Sequence, residues 1–289
     1  MGFLVGVTVL WAFSFSLIGV YLAGQVDSYF AVLMRVGLAA LVFLPFLRPR
    51  LLRGRQRWVL MGLGAVQLGM MYLFFYQSFL LLSVPEVLLF TIFTPIYITL
   101  LDDALFGRFT PLYLITASLA VLGAAVIRYD GVDGGFWMGF LVVQGANLCF
   151  ALGQVGYRRL SAALPDSLPR YSIFAWFYLG ALMVAVPAFA LLGNAAALPS
   201  TDVQWGVLLW LGLVASGLGY FLWNLGAVRV DAGALAIMNN VLIPAGLVVN
   251  LTIWNRDADL VRLGVGGAII LAALLLNERW VRQRSASLA

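Results

Sequence analysis

The amino-acid sequence predicts an all-α, polytopic membrane protein of ten transmembrane helices, arranged as two inverted five-helix repeats. Hydrophobic residues make up 63% of the 289-residue chain and charged residues 10%, whereas a soluble domain is close to half apolar and about a quarter charged. The apolar runs are about 20 residues long, the length at which a helix crosses a bilayer of roughly 30 Å. A transmembrane barrel would instead show alternation in segments of about ten residues.

Ten apolar segments are predicted to cross the membrane, and their short connections make successive helices antiparallel neighbours. In order, the segments are 3–22, 29–47, 58–82, 85–101, 111–127, 136–155, 171–192, 203–225, 233–254 and 260–276. They divide into two sets of five, residues 1–128 and 129–289. Because each set has an odd number of helices, the second must enter the membrane in the opposite orientation, an arrangement typical of secondary transporters.

A hairpin that occurs once in each half of the chain is the main evidence for these two repeats. The segment Tyr72–Tyr76 is followed by Pro95 in the first half, and Tyr220–Asn224 is followed by Pro244 in the second. A proline inside a helix leaves the carbonyl four residues earlier without its usual donor. We expect the two hairpins to face each other across a substrate path near the middle of the membrane.

The arginines predict the orientation. Of the 17 basic residues, all arginines, 13 fall on one side of the predicted spans, three on the other and one within a span. Basic connections stay on the inner side, so both termini are predicted to be cytoplasmic, in a bacterial inner membrane. The same connections explain the net charge of +5, which calls for contact with anionic lipid rather than nucleic acid.

The composition also excludes catalysis, proton relays and metal sites that depend on histidine. The chain has no histidine and one cysteine, Cys149, inside an apolar run. Histidine bases, relays and metal sites are therefore excluded, and we predict no catalytic residue, metal or cofactor. No aspartate or glutamate lies near a predicted midplane, which favours transport down the substrate gradient over proton coupling through a carboxylate.

Uncharged polar and aromatic residues within the spans are the candidate substrate contacts. Each has an alternative role in packing or in hydrogen bonding between helices. Asn239 and Asn240 are adjacent, so their side chains point about 100° apart and one can face a cavity while the other bonds a neighbour. The predicted substrate-binding residues are Trp11, Ser14, Tyr72, Tyr76, Thr91, Thr94, Tyr97, Asn147, Tyr220, Asn224, Asn239 and Asn240.

Arg35 is the one basic residue clearly inside a predicted span. It lies about six residues, roughly 9 Å at 1.5 Å per residue, from the outer end of the second span. Two roles are open to it. Its side chain could reach the membrane surface or bond backbone carbonyls, or it could recognise a substrate carboxylate.

Several short motifs resemble the EamA-type drug/metabolite transporters. They are the Trp-Ala-Phe-Ser sequence that begins at Trp11, together with Arg35, Pro95, Tyr220-x-x-Trp-Asn224 and Pro244. The Trp-Asn pair is most similar to that of the YddG-type exporters of aromatic amino acids. The resemblance implies export of small metabolites from a central cavity by alternating access. The Gly-Glu pair that often ends helices 4 and 9 in that family is replaced here by Gly107-Arg108 and Asn255-Arg256, so no role of that glutamate carries over.

The sequence therefore predicts a secondary transporter that exports small neutral metabolites, amino acids with aromatic or other apolar side chains above all. A membrane-embedded lipid-modifying enzyme and an uptake permease or channel are the alternatives. The predicted partners are the substrate and the lipid bilayer, and the chain is expected to act as a monomer or weak dimer. We expect the charged head of the substrate nearer the asparagines of the second repeat and its apolar body nearer the first.

Overall fold

The computed structural model describes residues 1–52, 54–82, 84–107, 109–128, 137–165, 167–253 and 260–287. These ranges contain helices and no β-strand. In order, the α-helices are α1 (Gly2–Tyr21), α2 (Ser28–Phe43), α3 (Gly54–Gly64), α4 (Met71–Leu81), α5 (Val84–Phe90), α6 (Thr94–Phe106), α7 (Pro111–Arg128), α8 (Trp137–Ala162), α9 (Arg170–Leu192), α10 (Asp202–Leu209), α11 (Tyr220–Ala227), α12 (Ala232–Ile253) and α13 (Leu260–Ser287).

Seven helical stretches within the described ranges are long and apolar enough to cross a membrane. Two shorter apolar helices, Pro111–Gly123 and Ala232–Gly246, accompany them. Several helices extend beyond the predicted spans, for example α8 to Ala162 and α13 to Ser287, because hydropathy marks the apolar part of a helix and not its polar continuation. The predicted ends at 136 and 254, and residues 53, 108, 255 and 256, lie outside the described residues.

Three helices of the repeated hairpins are not regular. A π-helical segment, Ala65–Met70, joins α3 to α4 just before Tyr72, and a second, Trp210–Gly219, joins α10 to α11 just before Tyr220. A 3-10 turn, Thr91–Phe93, separates α5 from α6. Such π segments recur at functional sites because they leave backbone carbonyls without their usual partners and re-aim the side chains that follow.

The two proline-bearing helices behave differently. The carbonyl of Thr91, four residues before Pro95, accepts a hydrogen bond of 2.8 Å from the Thr94 hydroxyl. The carbonyl that Pro95 leaves without a backbone donor is therefore bonded by a nearby side chain. Helix α12 instead continues through Pro244 from Ala232 to Ile253. The first hairpin is therefore broken at its proline and the second is not.

Glycines bring helices α3 and α9 into backbone contact. A Cβ atom added at Gly64 would lie 1.8 Å from the Phe177 carbonyl oxygen, and one at Gly180 would lie 1.8 Å from the Met61 carbonyl oxygen. Small residues allow such close approach between membrane helices, whose association depends on van der Waals packing. This crossing fixes the position of the π segment and α4, and so of Tyr72.

Candidate functional site

A central cavity lies among α1, α2, α4, α6, α8, α11, α12 and the Thr91–Phe93 turn. Its empty volume is about 790 Å³, which includes space open to the surroundings. Both predicted repeats line it. The lining residues are Thr8, Trp11, Ser14, Phe15, Arg35, Met71, Tyr72, Phe75, Thr91, Thr94, Ala146, Asn147, Phe150, Tyr220, Trp223, Asn239 and Leu242.

The structure brings eight of the twelve predicted site residues to this cavity. Those eight are Trp11, Ser14, Tyr72, Thr91, Thr94, Asn147, Tyr220 and Asn239. The other four do not line it and instead bond neighbouring groups: Tyr76, Tyr97, Asn224 and Asn240.

Aromatic rings form one wall of the cavity. The ring centroid of Trp11 lies 4.8 Å from that of Tyr220, 4.9 Å from that of Trp223 and 6.2 Å from that of Phe150. Tyr72 meets Tyr220 edge-on at 5.8 Å. Aromatic contacts of this kind between rings are favourable beyond the apolar area they bury, so the wall is stiff and presents broad apolar faces to a ligand.

The π segment before α11 holds this wall in place. The Trp11 indole Nε1 donates to the Ala215 carbonyl at 2.9 Å. The Tyr178 hydroxyl donates to the carbonyls of Ser216 and Gly217 at 2.6 and 2.9 Å. Carbonyls that the irregular helix leaves open are thus used by side chains of α1 and α9.

Arg35 is buried and lines the cavity, with 3% of its surface exposed. Its Nε donates to the Ser216 hydroxyl at 2.9 Å, Nη2 to the Tyr72 hydroxyl at 2.9 Å and Nη1 to the Tyr76 hydroxyl at 3.3 Å. Its Cζ lies 4.2 Å from the centre of the Tyr72 ring. The side chain is therefore buried inside the protein and, among the described residues, bonds hydroxyls and no backbone carbonyl.

A second polar group surrounds the broken helix. The Asn147 amide donates to the Phe90 carbonyl at 2.8 Å, and the Gln144 amide donates to the same carbonyl at 3.1 Å. The Tyr97 hydroxyl donates to the Gln144 oxygen at 3.0 Å. Tyr97 thus supports the cavity through Gln144 and does not line it.

The asparagines of the second repeat divide their roles. Asn239 lines the cavity and donates to the Leu235 carbonyl at 2.8 Å. Asn240 is buried and donates to the Ile92 carbonyl at 3.2 Å, joining α12 to the turn in the other hairpin. Asn224 donates to the Tyr220 carbonyl of its own helix at 3.0 Å. The amides therefore do not converge on one position for the charged head of the substrate.

This division predicts different results for the two neighbours. Asn240→Leu leaves the buried Ile92 carbonyl without its donor, at a cost of about 1–3 kcal/mol, so thermal stability in detergent should fall. Asn239→Leu keeps that contact and should instead weaken substrate binding. Equal thermal stability of the two variants would contradict the assignment.

Two polar groups that line the cavity have no hydrogen-bond partner within the described part of the chain. They are the Ser14 hydroxyl and the Trp223 indole N–H, on side chains 6% and 1% exposed. Buried polar groups in membranes are normally paired. These two groups therefore depart from that pattern and belong to residues that line the cavity.

Phe15, Phe75, Phe150 and Trp223 line the cavity but were not among the predicted site residues. Phe150 lies three residues after Asn147 on α8, a spacing that places both on one helix face and that was available in the sequence. Nothing in the sequence distinguishes these aromatic side chains from those that face lipid.

An ion pair joins α6 and α8 on the arginine-rich side. Arg158 of α8 donates to the Asp102 carboxylate of α6 at 2.9 Å and to the Val230 carbonyl at 2.9 Å. Asp102 is fully buried and 18% of the Arg158 side chain is exposed. Asp102 lies eight residues after Thr94 and Arg158 eleven after Asn147, about 12 and 16 Å along their helices.

Within the described residues, no group of three or more histidine, cysteine, aspartate or glutamate side chains could hold a metal ion. The cavity offers aromatic faces, hydroxyls, amides and one guanidinium among its described lining residues. That arrangement suits non-covalent binding of a small amphipathic molecule.

Comparison with known proteins gives three kinds of match. Residues 1–129 match the EamA-like transporter family. The chain is 54% identical over 290 residues to the biotin transporter of Salmonella typhimurium and 53% identical to that of Escherichia coli K12, covering 100% of this chain and 96% of each relative. It is 56% identical over 278 residues to a probable biotin transporter of Pseudomonas aeruginosa, covering 96% of this chain and 97% of that one.

One solved crystal structure of another protein superposes on this chain with a TM-score of 0.75, at 17% sequence identity and 94% coverage of both chains. At that identity the similarity concerns the fold alone.

Proposed function

Because this chain belongs to the EamA-like transporter family, we propose that it is a secondary transporter of biotin, or of a solute with closely similar chemistry, in the bacterial inner membrane. Family membership excludes the lipid-modifying enzyme considered above. The observation that carries the proposal is a cavity whose wall is aromatic and whose polar groups include one buried guanidinium.

Biotin combines three chemical features: an apolar bicycle with a thioether, a polar ureido group and a flexible chain that ends in a carboxylate. Trp11, Tyr220 and Phe150 present apolar faces for the bicycle. Ser14, Asn147 and Asn239 carry groups that suit a ureido carbonyl and its N–H groups. These matches support a biotin-like substrate. Export of aromatic amino acids, as in the YddG-type proteins, finds no support in the names of the relatives.

Alternating access is the proposed mechanism. Residues 1–128 and 129–289 would form inverted repeats of five helices each and rock about the cavity, with both termini in the cytoplasm. Two observations support this. A π segment precedes Tyr72 and another precedes Tyr220, and these two tyrosines lie 148 positions apart (220 minus 72). The cavity also takes its lining from both repeats of one chain, so a monomer would suffice for transport.

Uptake of radiolabelled biotin tests the proposed function in cells that cannot make biotin and lack their own biotin transporter. Cells expressing this protein should accumulate the label well above vector controls, and excess unlabelled biotin should compete while tryptophan and phenylalanine do not. Preloaded cells report efflux in the same assay and so decide the direction of transport. Absence of biotin movement in either direction would contradict the proposal, as would competition by tryptophan or phenylalanine.

The same assay tests coupling. No aspartate or glutamate is among the described residues that line the cavity, so dissipating the proton gradient should leave the initial rate of biotin movement within about twofold. Abolished movement at unchanged expression would contradict uncoupled transport.

A further inference from the structure

We propose that Arg35 is the residue that recognises the carboxylate of the substrate. This inference rests on the proposed function for the identity of the substrate. Its basis is the placement of a buried cation in the lining of the cavity, with no anionic partner among the residues that the structure describes.

No carboxylate in the described part of the chain balances the charge of Arg35. Among the residues that the structure describes, its contacts are with the hydroxyls of Ser216, Tyr72 and Tyr76 and with the two tyrosine rings. A buried charge in a membrane protein is costly and normally pairs with an opposite charge. A carboxylate substrate would supply the anion that the described residues do not provide.

The hydrogen bonds of Arg35 leave room for that anion. A guanidinium carries five N–H groups, and the three hydroxyls use one each on Nε, Nη1 and Nη2. One N–H therefore remains on each terminal nitrogen. Two such N–H groups can bind both oxygens of one carboxylate.

The three hydroxyls position the guanidinium. Ser216 lies in the π segment before α11 and the tyrosines lie one turn apart on α4, while the Tyr72 hydroxyl also lies 2.8 Å from the Ser216 hydroxyl. These hydrogen bonds among Arg35, Ser216 and the two tyrosines link α2, α4 and the π segment before α11. A carboxylate bound to Arg35 would therefore connect the substrate to helices of both repeats.

A purely structural role makes a different prediction. If Arg35 only joins helices, its removal weakens every ligand alike. If it binds the carboxylate, its removal affects ligands that carry this group and spares their neutral analogues. The ratio of the two affinities separates these roles, and a loss of stability does not change it.

Isothermal titration calorimetry of the purified full-length protein in detergent measures this ratio. Wild-type protein should bind biotin roughly 10- to 100-fold more tightly than biotinamide, since hydrogen bonds to charged groups are worth about 1.5–3 kcal/mol. Arg35→Gln should bring the ratio to about one. Arg229→Gln removes an exposed arginine that packs on Phe3, away from the cavity, and should keep the wild-type ratio.

Equal affinity of the wild-type protein for biotin and biotinamide would overturn the inference, even if Arg35→Gln does not fold. An unchanged ratio in folded Arg35→Gln would overturn it as well. If wild-type protein binds neither compound, the proposed function fails and 5-phenylvalerate with its amide replaces them. If wild-type protein prefers 5-phenylvalerate over its amide and Arg35→Gln abolishes that preference, the carboxylate-binding role of Arg35 is supported without the biotin proposal. If neither probe binds, the inference is overturned.

Discussion

Gly64→Ala is expected to abolish correctly folded protein, although it adds one methyl group. The new Cβ would lie 1.8 Å from the backbone oxygen of Phe177, and backbone cannot move aside as a flexible side chain can. Helices α3 and α9 must then separate, at a cost of about 3 kcal/mol or more. Size-exclusion chromatography and thermal unfolding in detergent should show aggregated or strongly destabilised protein.

Gly62→Ala is the matched control, because Gly62 lies on the same helix and an added Cβ meets nothing within 4 Å. Alanine has the higher helix propensity by about 1 kcal/mol, so this variant should be as stable as wild type or more so. Equal stability of the two variants would show that α3 and α9 do not cross at Gly64.

Asp102→Ala is expected to open the cavity from the arginine-rich side, which we propose to be cytoplasmic. The change removes one partner of an ion pair that joins the two predicted repeats, Asp102 in the first and Arg158 in the second. Loss of one member of a buried pair costs about 3–5 kcal/mol. The conformation that needs this pair is destabilised, while a conformation already open on that side is not.

Cysteine labelling measures this change. In a Cys149→Ser background, Ser14→Cys places a thiol in the cavity, and a membrane-impermeant maleimide is applied to inside-out vesicles. Asp102→Ala should raise the labelling rate about fivefold or more, as a coupling of 1 kcal/mol or above predicts. Exchange of the charges in Asp102→Arg with Arg158→Asp should restore slow labelling.

Asp202→Ala, which removes an exposed carboxylate at the start of α10, should leave the labelling rate unchanged. If Asp102→Ala also leaves it unchanged, the ion pair does not control access to the cavity.

The all-helical architecture with apolar, membrane-length helices followed from the sequence, because hydropathy and helix length are local properties of the chain. The π segments before Tyr72 and Tyr220 did not, since their sequences, Ala65–Met70 and Trp210–Gly219, are as apolar as a regular membrane helix. In the second segment, carbonyls accept hydrogen bonds from Trp11 and Tyr178 of other helices, and the local sequence does not reveal these contacts.

The polar residues at the site were identifiable, but the direction of each side chain was not. Asn239 and Asn240 are indistinguishable in the sequence, and only the position of the Ile92 carbonyl separates them. The choice between the two roles considered for Arg35 likewise depended on which residues surround its side chain in the fold. Its burial against Ser216, Tyr72 and Tyr76 requires three segments to meet, which no single segment specifies.

This placement changes the expected orientation of the substrate. The asparagines of the second repeat predicted the position of the charged head, whereas the structure places the buried cation of the cavity on α2. Asn224 and Asn240 are engaged with backbone carbonyls. We therefore propose that the carboxylate of the substrate lies toward α2 and that its apolar body contacts the aromatic wall.

Counterflow of labelled biotin into liposomes tests most directly whether this cavity carries the substrate. Vesicles that contain purified protein and excess unlabelled biotin should transiently accumulate external label. Trp11→Ala, which removes the ring packed on Tyr220 and Trp223, should lower the initial rate about tenfold or more, since an aromatic side chain contributes well over 1.4 kcal/mol when buried. Absence of counterflow in wild type, or an unchanged rate in Trp11→Ala, would contradict the account.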